Sequence, residues 1–185
     1  MDKNEELEQI LARHKIWLQS DEKEGNRADL SGASLEGANL QGALLSGADF
    51  TGASLMGADL SGALLVHAKF TGADLSQVNL SGADLLLADF TGANLRKANL
   101  SEAKPDLDAA IVRTRRGPKF KDADLTEANL TGAYCYISDF SGAKLTGCAF
   151  DRCYLVRANL SHTDLQHNVL RGAIVSSADM RQSDL

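Results

Sequence analysis

Residues 50–100 read FTGASLMGADLSGALLVHAKFTGADLSQVNLSGADLLLADFTGANLRKANL. Two periods are nested here. Leu or Phe stands at every fifth position from Phe50 to Leu100, and a Phe-Thr-Gly returns every twentieth, at Phe50, Phe70 and Phe90. Along the whole chain, positions 30, 35, 40 and onward to 185 hold Leu, Phe, Val or Met at 28 of 32 places. The positions two residues earlier hold Ala at 22 of 32.

No helix fits this beat, because five residues rotate by about 500° at 3.6 residues per turn and the Leu side chains would spiral over every face. A flat strand fails as well. Ala-x-Leu suits a period of two, but five is odd, so the next pair would point to the opposite face. The chain must turn at every repeat to keep both residues inward. The Ser/Thr-Gly pair after each Leu stands where that turn is needed, and Gly enters positive φ without steric cost. Four sides of five residues make twenty, so like columns stack coil on coil at about 4.8 Å. The expectation is an all-β, right-handed quadrilateral parallel β-helix of roughly eight coils over residues 28–185, with the usual hand of parallel crossovers. One coil cannot bury enough to be stable alone, so stability must come from stacking. On this register Phe150 rejoins the Phe50, Phe70 and Phe90 column.

The segment before the repeats is different. Leu7, Ile10, Leu11, His14, Trp17 and Leu18 follow i, i+3, i+4, i+7 spacing, which predicts an amphipathic helix over about 3–19. Asp2 and Glu5 resemble a capping box, and Gly25-Asn26 ends the segment. Residues 1–27 therefore read as a capping helix and linker laid over the first rung of the solenoid.

The pattern fails once, at residues 101–119, SEAKPDLDAAIVRTRRGPK. An Arg115 in a core position would be an unpaired buried charge, so the backbone must leave the coil path. We expect one distorted coil of kept length, with an irregular loop near 104–118. Arg113, Arg115, Arg116, Lys119 and Lys121 form a basic cluster there, either a solvated loop or a contact to an acidic protein or phosphate surface.

The A(D/N)LxG repeats, over most of the chain, resemble the pentapeptide-repeat family. That resemblance implies the quadrilateral β-helix and no enzymatic activity. It also implies that some members act as DNA mimics on type II topoisomerases such as DNA gyrase and protect against quinolones, while others are regulatory binding partners. The expected function is a non-enzymatic scaffold that binds a protein partner, with the topoisomerase-directed DNA mimic as the alternative. The family's C-terminal dimer module is missing from this sequence, so a monomer is expected rather than a C-terminal end-to-end homodimer.

Any function must lie on the outward positions. Around 135, 155 and 175 these hold Tyr134, Tyr136, Ile137, Tyr154, Val156 and Ile174; around 45, 65 and 85 they hold Leu44, Leu64, Val66, Leu86 and Leu87. Clustered exposed apolar side chains mark contact sites, and Tyr is enriched in interface hot spots. The tyrosine group is the first candidate interface and the leucine group the second.

Composition narrows the rest. The net charge is −6, and residues 28–100 carry seven carboxylates against three cations. This is far sparser than the one charge per about 1.7 Å of duplex DNA, and its sign disfavours direct nucleic-acid binding. Three Cys at irregular spacing make no disulfide framework. Cys148 and Cys153 occupy inward Ala positions, whereas His162 and His167 sit on outward corners, against a shared metal site. No catalytic or cofactor-binding motif is readable. The N-terminus lacks the order of a signal peptide, and no run approaches the roughly 18 apolar residues of a membrane span. The cytoplasm is the expected location.

Overall fold

The computed structural model describes residues 3–104 and 116–184, with side chains from Glu6 onward. One helix, α1 (Lys3–Gln19), precedes a right-handed quadrilateral parallel β-helix.

Each side of the square is one five-residue repeat. The central residue donates its amide to the next coil, as Leu30 N–H does to the Asp49 carbonyl at 2.7 Å. Its own carbonyl closes the corner by accepting from the Ala33 amide at 3.1 Å. The third residue of that corner has positive φ even where it is not Gly, as at Gln77 (60°) and Lys97 (58°). Where Asp or Asn precedes the central residue, it holds the corner from outside. The Thr51 amide and hydroxyl both donate to Asp49 Oδ1, at 3.1 and 2.6 Å, an Asx turn that favours these residue types. These outward side chains also form ladders. Asn79 Nδ2 donates to Asp59 Oδ1 at 3.1 Å, and Asn99 Nδ2 to Asn79 Oδ1 at 3.2 Å.

The core is a set of apolar columns along the axis. Phe50, Phe70, Phe90, Phe120 and Phe140 are all buried and stack with centroids 4.8, 4.8, 5.1 and 4.8 Å apart. This column corrects the expected register. Parallel bridges join residues twenty apart up to Asn79↔Asn99, then residues thirty apart at Asp89↔Lys119, Asn94↔Asp124 and Asn99↔Asn129. The interrupted coil is thus longer, not of kept length. Ten extra residues equal two sides of the square, so the five-residue beat survives while the twenty-residue beat slips by half a coil. Phe150 therefore leaves the Phe90 column and meets Phe140 edge-on at 6.2 Å.

Helix α1 covers the first coil with Leu7, Ile10 and Leu11 against the core. His14 is fully buried beneath it. Its Nδ1 accepts the Ala28 amide at 3.0 Å, its ring stacks on Trp17, and its Nε2 is buried without a hydrogen bond, near the Ser46 backbone. The linker returns along the helix so closely that a Cβ at Gly25 (φ 75°) would lie 2.3 Å from the Arg13 carbonyl oxygen. Burial, reinforced by the Arg27 charge, holds the His14 imidazole below its ordinary value of 6.5 against the pull of the Ser46 backbone. The neutral ring therefore belongs to the folded state. Its contribution is complete above about pH 6.5 and is lost as pH falls through the lower folded value. Thermal unfolding followed between about pH 6.5 and 5 should show a falling midpoint. His14→Asn, which keeps an acceptor but cannot titrate, should flatten that slope; equal slopes would refute the role of neutral His14.

Candidate functional site

The thirty-residue coil brings together what an unbroken twenty-residue beat would place on opposite faces. Bridges run Leu44↔Leu64↔Asp84 and Tyr134↔Tyr154↔Ile174. The Lys104 amide donates to Ala83, and the Tyr134 amide to Ala103 at 2.7 Å. All these residues therefore belong to one side of the square. The described chain stops on this side at Lys104 and resumes at Arg116, on its corner between Leu86 and Tyr136.

Along this side Leu44, Leu64, Tyr154 and Ile174 are exposed, at 38, 40, 37 and 41%. The Tyr134 and Tyr154 rings stack at 4.5 Å and 25°. Val66, Tyr136 and Val156 line the next corner as half-buried second residues, and Leu87 and Ile137 follow at the third position, also half-buried. Leu86 is a correction: it is buried, not outward. The returning segment Arg116–Pro118 lies beside it, and together they line a cavity of about 20 Å³ with Tyr134 and Tyr136. Asp84, also buried, accepts the Leu86 amide at 3.0 Å.

The basic cluster does not converge among the described residues. Arg113 and Arg115 lie outside them. Lys119 is on the neighbouring face and pairs with Asp89 at 3.0 Å. Lys121 is on an exposed corner, and Arg116 alone borders the tyrosines. Three arginines that sequence reading overlooked, Arg152, Arg157 and Arg171, stand on the corners around Tyr154 and Ile174. The available signal was Arg152 and Arg157 replacing the usual corner Gly.

The buried thiols offer no nucleophile. Cys148 donates to the Leu125 carbonyl at 2.9 Å, and burial pushes its thiol up to about 12. Contact with Cys135, together with burial, pushes Cys153 up as well. Among the described residues no cluster of three His, Cys, Asp or Glu side chains could hold a metal, and no helix is long and apolar enough to cross a membrane.

The family model for pentapeptide repeats matches eight copies over residues 26–62, 68–104, 119–157 and 148–185. The chain belongs to this family. Among solved structures it is similar to QnrB1, a plasmid-mediated fluoroquinolone resistance protein, at 17% identity and a TM-score of 0.68, covering 85% of this chain and 74% of that one. It is also similar to a pentapeptide repeat protein of the Arabidopsis thaliana thylakoid lumen, at 35% identity and a TM-score of 0.49, covering 57% of this chain and 67% of that one. Comparison with curated proteins found no match.

The tyrosine side sits outside the core, so its loss should spare the fold. Tyr154→Ala should cost about 0.5–1.5 kcal/mol, the worth of an aromatic pair. Leu155→Ala, one residue inward, should cost about 2–5 kcal/mol. Urea unfolding of both variants measures the difference, and equal losses would show Tyr154 to be structural.

Proposed function

We propose that the chain is a non-enzymatic scaffold that binds a protein partner through the side carrying Leu44, Leu64, Tyr134, Tyr154 and Ile174. One observation carries this reading: exposed aromatic and aliphatic side chains line one side, while the bridge residues of the other three are mostly Asp, Asn, Ser and Lys. Contiguous exposed apolar surface of this kind marks interaction sites. The three free, buried cysteines suit a reducing compartment such as the cytoplasm. A photocrosslinking residue at position 154 should trap discrete adducts in the native host cell. The same residue at position 54, on the opposite Ser34–Ser54–Asp74 side, should not. Equal labelling at both positions would defeat the proposal.

The alternative, a DNA mimic acting on a type II topoisomerase, draws support from the fold alone. The charge arrangement weighs against it. Asp49 is flanked by Arg27 and Lys69, each at 3.6 Å, Asp89 by Lys119, and Asp124 by Arg96 and Lys144, each at 3.7 Å. For Asp89, burial resists ionisation, but the Thr91 hydroxyl and Lys119 ammonium prevail and keep its carboxyl below the ordinary value. The carboxylates are ionised, yet their field is cancelled locally. DNA gyrase supercoiling should be unaffected by micromolar protein, and inhibition would restore the mimic.

A further inference from the structure

The arginines around the tyrosines stand outside this cancellation, three together at one end of the side, whereas Lys104 and Lys121 lack an ion pair singly among the described residues. Elsewhere on the solenoid, stacking sets most cations beside carboxylates of the neighbouring coil: Lys69 with Asp49, Arg96 and Lys144 with Asp124, Lys97 with Glu127, Lys119 with Asp89. Arg152, Arg157 and Arg171 are exposed and make no ion pair among the described residues.

Their placement is directed. Arg152 and Arg157 are the third residues of the two corners that bound the side bearing Tyr154, with φ of 54° and 58°. Lys97 holds the same strained corner position and gains an ion pair with Glu127; these two arginines gain none. Arg171 stands one coil further on, its carbonyl accepting the Arg152 amide at 2.9 Å. A shallow groove of about 470 Å³ runs over this corner, lined by Thr131, Asp151, Arg152, Val169, Arg171 and Gly172. The Arg152 side chain lies along it, with Cγ 3.6 Å from where a Gly172 Cβ would be. Val169, in the same groove, is 49% exposed. Asp151 is the one carboxylate lining it.

We propose that this end of the side binds an acidic protein segment. Apolar side chains of that segment would rest on Tyr134, Tyr154 and Ile174, and its carboxylates would take the guanidinium forks of Arg152, Arg157 and Arg171. The proposal rests on the protein-binding reading above and adds the partner's chemistry. Arg presents a planar donor pair matched to a carboxylate, and complementary charge steers encounter and fixes register. A protein segment fits better than a nucleic acid. Val156 and Ile174 on the side of the rings, and Val169 in the groove, offer nothing to phosphate.

Fluorescence anisotropy with three labelled probes tests this: a peptide alternating glutamate with leucine and phenylalanine, its lysine counterpart, and a single-stranded oligothymidylate. The glutamate peptide should bind best, and more weakly as salt rises. Arg152→Gly and Arg171→Gln should each weaken it about tenfold, the scale of one lost charge-assisted hydrogen bond, while Arg13→Gln on α1 should not. Arg152→Gly installs the residue this corner prefers, so a loss of binding cannot be blamed on unfolding. Preference for the lysine peptide or the oligonucleotide, wild-type binding by the arginine variants, or self-association in light scattering that covers the side would overturn the proposal. If the position-154 crosslink forms while the glutamate peptide fails, the acidic partner falls and the binding surface stands. If neither occurs, both fall.

Discussion

Each apolar side chain can return to the axis every five residues only if the backbone bends at every corner, and the rest of the structure follows from that bend. It places the third corner residue at positive φ, which Gly accepts freely and other residues accept at about 1–2 kcal/mol. It leaves three amides per side for the neighbouring coils, two donating to the next coil and one to the previous, as Leu55, Gly57 and Ser54 do, so no coil can satisfy its backbone without its neighbours. It also sets the outward Asp or Asn where its side chain can receive the corner amide. The A(D/N)LxG pattern is thus a set of mutually dependent answers to one geometric demand. The flat stacking of Phe50 through Phe140 within 10° is its visible consequence.

The same dependence explains how far the sequence could be read. Core positions were legible because a charged side chain on the axis is excluded, so every fifth residue reports its own burial. Corner positions were legible from Gly. The relation between distant faces was not. An insertion of ten residues keeps the five-residue beat intact, and no local signal distinguishes a twenty-residue coil from a thirty-residue one. Placing Phe150 with Phe90 and separating the leucines from the tyrosines were one error with one cause. Leu86 failed for a related reason. Its position is outward in a regular coil, but here the chain returns beside it at Arg116–Pro118, a long-range contact that no repeat encodes.

Regularity also decides where function can reside. Stacking like residues at about 4.8 Å would pile like charges on one another, and apart from Asp29↔Asp49 and Asp164↔Asp184 near the two ends, the ladders avoid this by alternating Asp with Lys or by using Asn. A surface so arranged is locally neutral, hydrogen-bonded to itself and poor in apolar area, which leaves little for a partner to hold. The departures reverse each property. The extra ten residues break a ladder and bring two apolar groups onto one side. Tyr134 and Tyr154 replace Asp and Asn, and Arg152 and Arg157 replace Gly without gaining a carboxylate. Each substitution adds cost or exposure that the fold does not recover, and they converge on the side where the twenty-residue beat is broken. That convergence separates this side from the other three more strongly than any single exposed residue does.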